Sequence, residues 1–488
     1  MVKEIYIAGE WRLGRGDTIQ SLFPADQSVN AEISTASLDD VNEAIEKADL
    51  AWRKAEWRNS MPHERARILY KVADIIEARV DELSKLQTRD NGKPLAETRA
   101  LTLSAAATAR YVAAACETLN DELTTQRAPD FMTMSVHEPV GVVAAITPWN
   151  SPIASEVQKL APAIAGGNAV ILKPAEVTSL IALELAKIFE EAGLPKGLLS
   201  VLVGRGSVIG DAIVKHPLVR KISFTGGTST GRHLAHIAAE KLITTSLELG
   251  GKSPTIVMQD ADIELAAKGV AYGIFSSAGQ ACIAGSRLFV HRSIYDQFLT
   301  RLVEITKGLR VGHPETAGVH LGSLINPKHL ASVDAYVQLA KKEGGQVLVG
   351  GEALTEGELA KGSFYLPTII TGLNNSAQIC QEEIFGPVLV VMKYDDEADL
   401  IAQANDSCFG LAAGIWTENY RKAWQLARAL EVGTVWINTY KKFSISAPFG
   451  GFKESGIGRE KGRLGILAYM QQKSIYMGLS EQPNPWCD

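Results

Sequence analysis

Cys282, in the stretch Gly279-Gln280-Ala281-Cys282-Ile283-Ala284-Gly285-Ser286-Arg287, is the first residue of this 488-residue chain that can do chemistry. Its small neighbours leave room for a substrate carbon to come close to the sulfur. A thiol with an ordinary pKa near ~8.5 is only slightly ionised at neutral pH, yet its thiolate is a strong nucleophile. By itself the stretch fits a buried, inert cysteine better than a nucleophile. The other candidate stretches decide between the two.

Asn150, in Thr147-Pro148-Trp149-Asn150, can turn its amide toward a developing oxyanion, worth roughly a hundred- to thousandfold in rate, or can simply complete a turn. Lys173-Pro174-Ala175-Glu176 can hold the two hydroxyls of a ribose, the glutamate accepting and the lysine donating, or can be a solvated charged turn. A carboxylate there also repels a 2′-phosphate, which favours NAD over NADP. Phe224-Thr225-Gly226-Gly227-Thr228-Ser229-Thr230-Gly231 leads into a helix, where glycines and hydroxyls make a phosphate seat. It is not the GxGxxG fingerprint. Glu248, in Leu247-Glu248-Leu249-Gly250-Gly251-Lys252, can act as a general base if burial raises its pKa, or can be an exposed strand-end glutamate.

These residues need a frame that brings them together. From Leu38 to about Ala115 apolar residues recur at helical spacing, punctuated by Pro62 and the Asn91-Gly92-Lys93-Pro94 turn, with nothing catalytic in sight. Leu123 to His137 alternates and predicts a hairpin. From Gly141 short apolar strands alternate with helices: Gly141–Ile146, Ala169–Leu172, Leu199–Val203 and Lys221–Phe224 as strands, Ser179–Ala192 and Val208–Lys215 as helices. That is a βαβ pattern and predicts a doubly wound parallel sheet, with ligands at the carboxyl ends of its strands. The candidate residues follow the strands. Ile263 to Phe275 predicts the helix before Cys282, and Pro387–Met392 and Leu411–Trp416 predict strands of a second α/β unit.

A chain of this length needs two or three domains. A hydrophobic share of 46%, a charged share of 21% and a net charge of −6 are those of an ordinary soluble protein. They argue against nucleic acid or an anionic membrane as partner. The five cysteines, Cys116, Cys282, Cys380, Cys408 and Cys487, form neither a CxxC pair nor a Cys/His cluster, so no disulfide framework and no metal site is expected. No signal peptide or spanning run is visible, and a cytoplasmic, reducing location is expected. Apart from Cys282, the cysteines read as packing or incidental.

Taken together, Pro148-Trp149-Asn150, Lys173-Pro174-Ala175-Glu176, Phe224-Thr225-Gly226-Gly227, Glu248-Leu249-Gly250-Gly251-Lys252 and Gly279-Gln280-Ala281-Cys282 resemble the NAD(P)-dependent aldehyde dehydrogenase superfamily. Glu382-Glu383-Ile384-Phe385-Gly386-Pro387 and Pro448-Phe449-Gly450-Gly451-Phe452-Lys453-Glu454-Ser455-Gly456 extend the resemblance over essentially the whole chain. It implies an α/β fold with a Rossmann-type NAD-binding domain (1–122 and 139–248), an α/β catalytic domain (249–447) and a small β oligomerisation element (123–138 and 448–488). It implies Cys282 as nucleophile, Asn150 and the Cys282 backbone N–H as oxyanion donors, and Glu248 as the base that activates water. It implies a cofactor site of Ile146, Pro148, Trp149, Lys173, Glu176, Phe224, Gly226, Gly227, Leu249, Glu383 and Phe385, taking NAD in preference to NADP, without a metal. Relatives that pass the acyl group to coenzyme A generally lack a glutamate at the place of Glu248, so hydrolysis by water is the expected outcome. The tail around Ser474-Ile475-Tyr476-Met477 resembles the family's edge strand, and a homodimer or homotetramer is expected.

The substrate is then an aldehyde, oxidised to its carboxylic acid. Ser151, Gln158, Ala281, Ile283, Lys441, Phe443 and Phe449 fall where the family builds its substrate tunnel, a mixture that is polar on one side. A carboxylated semialdehyde meeting Lys441 or Lys442 fits it; so does a solvated loop holding both lysines, with broad aldehyde clearance as the function. Glu156 argues instead for a cationic or amino-bearing substrate. A thioester hydrolase without redox activity would leave Lys173, Glu176 and Glu383 without purpose, and a non-catalytic binding protein would have lost Cys282 or Glu248.

Overall fold

The structure, a computed structural model, describes residues 1–480 and Trp486; Cys487 lies outside the described residues. Two sheets dominate it. The first has eight strands in the order Glu10–Arg12, Ile5–Ile7, Leu199–Val201, Ala169–Lys173, Val142–Ile146, Val219–Thr225, Thr244–Glu248 and Gly456–Ile457. The five central strands run parallel. Strand Val142–Ile146 comes first in the chain among them. The chain winds outward from it on one side through Ala169–Lys173 and Leu199–Val201, then returns to its other side with Val219–Thr225. The switch point therefore falls between Val142–Ile146 and Val219–Thr225, where a doubly wound sheet leaves its crevice.

The second sheet has seven strands in the order Gln346–Val349, Thr368–Thr371, Val388–Tyr394, Arg287–His291, Pro254–Val257, Ala412–Trp416 and Thr434–Ile437. All its pairings are parallel except that of Gln346–Val349 with Thr368–Thr371. Each sheet closes on its own apolar core: Val142, Val143, Ile171 and Ile222 lie fully buried in the first, and Ile256, Leu288, Phe289 and Val390 in the second. At about 1.5–3 kcal/mol for each large apolar side chain removed from water, these layers hold the frame.

Of the long helical run, Leu38–Arg53 packs directly on the first sheet, and Pro62–Ala78, Val80–Asn91 and Leu95–Cys116 pack on one another and on the sheet's crossover helices Pro152–Ala165 and Leu180–Glu191. Ser37 and Asp40 form a capping box at the first of these, and Asp262 accepts the Leu265 N–H at 2.9 Å to start Ile263–Phe275.

A third, three-stranded sheet sets Phe131–Pro139 between Glu122–Leu123 and Met470–Gly478. The Met470–Gly478 strand pairs with Phe131–Pro139 of its own chain, from Met470↔Pro139 to Gly478↔Phe131. The expected hairpin element of 123–138 and 448–488 needs one correction. Gly456–Ile457 pairs antiparallel with Leu247 and Glu248 and so closes the edge of the first sheet. The helix Gly462–Leu467 packs on the helices Leu95–Cys116 and Pro152–Ala165. Only the segment from Met470 onward joins the hairpin, while Ile466 and Tyr469 just before it are buried in the core of the first sheet.

Candidate active site

The strand Thr244–Glu248 ends at Glu248, and Leu249–Ser253 crosses to the amino end of Pro254–Val257 in the second sheet. Cys282 sits on the loop that enters the amino end of the next strand, Arg287–His291. The carboxyl ends of one sheet thus meet the amino ends of the other. The crossing must be thin: a Cβ at Gly251 would stand 2.3 Å from the Cys282 carbonyl, and one at Gly250 would stand 2.4 Å from the Glu383 carboxylate. The glycine pair after Glu248 exists to let the thiol loop and Glu383 close on it.

The thiol loop opens with strained backbone. Ser277, Ala278 and Gly279 all have positive φ, at 61°, 50° and 71°. Glu97 holds this turn, accepting the Ser277 N–H at 2.8 Å and its hydroxyl at 2.7 Å. Gln280 anchors the far side, its side-chain carbonyl accepting the Ile325 N–H at 2.9 Å. Two residues on, Cys282 is half-buried at the floor of a cavity of about 350 Å³.

Asn150 and Glu248 line the same cavity. The Asn150 amide donates one hydrogen to the Gln280 carbonyl at 3.0 Å, which orients the side chain and leaves its second N–H for another acceptor. Glu248 is buried, and neither carboxylate oxygen has a partner. Burial, and then the nearby Glu460 carboxylate, push it well above the ordinary glutamate range. Burial pushes the Cys282 thiol up to about 12, with the Glu383 and Glu248 carboxylates adding to the rise.

All seven residues expected to meet substrate line this cavity: Ser151, Gln158, Ala281, Ile283, Lys441, Phe443 and Phe449. Lys441 has φ of 54° and donates to the Ser276 hydroxyl at 2.7 Å. Burial pulls its pKa down to about 8. Lys442 does not join it: its side chain is exposed and its carbonyl accepts the Trp436 indole N–H at 2.7 Å. The left-handed turn at Lys441 sends the two neighbours in opposite directions. Glu156 is a second correction. It is fully buried in the helix Pro152–Ala165, both its oxygens lack partners, and it does not line the cavity. It lies three residues after Ile153 and four before Leu160, both core residues, so helical spacing alone puts it inside.

Several lining residues went unread in the sequence. The helix Leu95–Cys116 presents Glu97, Ala100, Leu101, Ser104 and Thr108, a stripe at helical spacing whose small and hydroxyl residues are the signal. Glu460 and Lys461 arrive from the turn after Gly456–Ile457. Glu460 accepts from Lys159 and Gln158, and Lys159 also donates to the Ser223 hydroxyl at 3.1 Å.

The residues expected around a cofactor gather at the switch point. Ile146 ends its strand, and Pro148, Trp149 and Asn150 follow. Trp149 packs edge-on against Phe385, ring centres 5.2 Å apart, and against His329 at 5.6 Å. Lys173 is buried, its ammonium donating only to the Pro174 carbonyl at 3.1 Å, and burial pulls its pKa down to about 8 against the pull of Glu176. Phe224 is buried under Gly226, where a Cβ would stand 2.5 Å from its ring. Gly227 opens the helix Thr228–Lys241, with nothing within 4 Å of its Cβ position and no side-chain cap on the helix. Leu249 packs over Gly231. Glu383 accepts the Gly251 N–H at 3.0 Å and is raised by burial to about 7. An uncapped helix start beside an open glycine fits a dinucleotide diphosphate, and Lys173, Glu176 and Glu383 supply polar groups suited to its riboses.

Among the described residues no three or more His, Cys, Asp or Glu gather as metal ligands. No helix among them is long and apolar enough to cross a membrane.

A family model described as Aldehyde dehydrogenase family matches residues 11–475. The betaine aldehyde dehydrogenase of Bacillus subtilis (strain 168) is 38% identical over 487 residues, covering 100% of this chain and 99% of that protein. A crystal structure of betaine aldehyde dehydrogenase from Staphylococcus aureus in complex with NAD+ matches with a TM-score of 0.97 at 37% identity, over 100% of this chain and 97% of that one. An NAD+ complex of aldehyde dehydrogenase from Bacillus cereus matches with a TM-score of 0.96 at 38% identity, over 98% and 97% of the two chains.

Proposed function

The chain belongs to the aldehyde dehydrogenase family and is an NAD-dependent aldehyde oxidoreductase; on that premise we propose the following roles and substrate. The Cys282 thiol gives up its proton to solvent, and the resulting thiolate attacks the aldehyde carbon. The carbonyl pair moves onto oxygen, and that oxyanion takes the second N–H of Asn150 and the backbone N–H of Cys282. NAD, when bound, accepts the hydride that leaves the same carbon, and Cys282 is left carrying a thioester. Glu248 then takes a proton from water as the water oxygen attacks the acyl carbon, and the sulfur leaves with its electron pair. Glu248 is buried with unpartnered oxygens, and burial raises it above the ordinary glutamate range, which strengthens it as a base. Glu383 and Lys173 with Glu176 would hold the two riboses, Gly226 and Gly227 the diphosphate, and Trp149 with Phe385 the wall beside the reacting ring.

The observation that carries this reading is the meeting of Cys282, Asn150 and Glu248 around one cavity of about 350 Å³. NADH formation with an aldehyde, abolished in Cys282→Ala, tests it; turnover without NAD would overturn it.

For the substrate we propose a polar aldehyde carrying a carboxylate. Lys441 supports it: its half-buried ammonium lines the cavity, and its hydrogen bonds go to Ser276. The carboxylates of the cavity are otherwise engaged. Glu97 is taken by Ser277, Glu460 by Lys159 and Gln158, and Glu248 is assigned to the chemistry. The names of the relatives make betaine aldehyde the competing substrate. Comparing kcat/KM for a semialdehyde with that for an uncharged aldehyde of equal length tests the choice, and equal values would return the chain to general aldehyde clearance.

The outer edge of Met470–Gly478 supports a homodimer or homotetramer. Its side chains are almost all exposed, Tyr476 at 73%, and such an edge calls for a partner strand or a cover. A working thiol suits a reducing, cytoplasmic setting.

A further inference from the structure

Lys461 lines the cavity and is not used by the chemistry above. Its backbone has φ of 59°, in the left-handed region, at the start of the helix Gly462–Leu467. A non-glycine residue there is strained and persists only where its surroundings hold it. Here the strain sends the side chain into the aldehyde cavity. Its Nζ stands 4.0 Å from the ring centre of Phe443 and 5.4 Å from that of Phe449. The two rings lie edge to face, 5.6 Å apart, and Trp436 meets Phe443 edge-on at 5.3 Å. The adjacent Glu460 is turned to Lys159 instead. The ammonium therefore has aromatic faces for its nearest neighbours and no ion pair among the described residues, the Glu460 and Glu248 carboxylates acting on it from further off.

A pair of aromatic faces in a closed pocket is what a quaternary ammonium seeks. In this chain the protein's own cation already sits on them. A second cation in the same place would lie against the first in a site where charges are poorly screened.

We propose that Lys461 is a specificity-determining residue: a built-in cation that fills the aromatic seat of the cavity and excludes aldehydes with a cationic head. The inference rests on the substrate reading above, and it extends that reading from attraction of an anion at Lys441 to exclusion of a cation at Lys461.

The test uses three aldehydes: trimethylammonio-acetaldehyde, its carbon isostere 3,3-dimethylbutanal, and succinic semialdehyde. For the wild-type enzyme with NAD, kcat/KM for the neutral isostere exceeds that for the cation at least tenfold. In Lys461→Leu the cation-to-isostere ratio rises at least tenfold, and in Lys461→Arg it stays near the wild-type value. A thermal melt of each variant, with Lys461→Met as a second neutral replacement, separates loss of fold from change of preference. A merely structural role would lower both rates together and leave the ratio in place. Equal wild-type rates on cation and isostere, or a ratio unmoved in both neutral variants, overturns the proposal. The semialdehyde arm is separate. If it shows no preference but the ratio still shifts, the anion reading at Lys441 fails and the exclusion stands; a semialdehyde preference with an unmoved ratio means the reverse.

Discussion

The side chain of Asn150 donates to the backbone carbonyl of Gln280 at 3.0 Å, so a loop of the first sheet is tied to the thiol loop of the second just before Cys282. One amide hydrogen is fixed and the other is aimed by it. Asn150→Ala removes the oxyanion donor and the tie, and kcat falls roughly a hundred- to thousandfold. Asn150→Asp places an acceptor where a donor is needed and loses at least as much. Steady-state NADH formation measures both; a loss below tenfold would remove Asn150 from the chemistry.

Glu248→Gln separates the two halves of the reaction. The thiol still adds and the first hydride still leaves, but the thioester is not hydrolysed. A rapid-mixing experiment is expected to show one NADH per active site followed by near arrest. The active form of Glu248 is the carboxylate, and burial raises its pKa. Wild-type deacylation therefore slows as pH falls, at a pH above the ordinary glutamate range. An acid limb at the ordinary value would mean that another group sets it.

In the enzyme without cofactor the Cys282 thiol is raised to about 12. Only the thiolate is alkylated, so the rate with iodoacetamide is expected to rise about tenfold per pH unit through pH 9, without a plateau near the ordinary ~8.5. A plateau below pH 9 would show that burial and the nearby carboxylates do not hold the thiol protonated. Cys282→Ala abolishes both labelling at this site and turnover.

Lys441 titrates at about 8, and its charged form lies on the acid side. For a carboxylated aldehyde KM is expected to climb as pH passes above that value, while KM for the uncharged analogue stays level. Lys441→Ala raises KM for the carboxylated member about ten- to a hundredfold, the cost of 1.5–3 kcal/mol for a charge-assisted hydrogen bond, and removes the pH dependence. If KM for both aldehydes is unmoved, Lys441 does not meet substrate.

Glu156 carries the stability prediction. Burial, with Asp90 nearby, pushes it well above the ordinary range. The folded chain therefore holds a proton that the unfolded chain gives up once pH exceeds about 4.3, and stability falls as pH rises from there toward the folded value. Glu156→Gln has no proton to lose. It is expected to stabilise the fold at pH 8 and to matter little at pH 4, read from urea midpoints at the two pH values. A larger gain at pH 4 would reverse the assignment.

The elements of the site that the sequence shows plainly are those at strand ends. Glycine pairs, a lone cysteine among small residues and a carboxylate after an apolar run stand out because the polypeptide must be thin and polar just there. Glu97, Ser104 and Thr108 were hidden because a helix that shows a wall to a cavity has the same spacing as one that packs. Glu460 and Lys461 were hidden by distance: they follow a turn placed with the hairpin, and only the pairing of Gly456–Ile457 with Leu247 and Glu248 brings them back. The parting of Lys441 from Lys442 depends on one positive φ, which residue types do not disclose. Glu156 was legible and misread, since its spacing from Ile153 and Leu160 already placed it in the core.

The short strand Gly456–Ile457 also bears on how the molecule can be cut. The chain leaves the first sheet after Glu248, builds the second, and comes back to lay this last strand along Leu247 and Glu248. A fragment stopping before it would expose a raw sheet edge at the very residue assigned as base, and raw edges invite aggregation. Neither half would then be a self-sufficient module. Co-expressed pieces divided in the second sheet could reassemble only if the C-terminal piece delivered its Gly456–Ile457 strand to Leu247 and Glu248 of the other, which makes this strand the joint on which any split version of the enzyme depends.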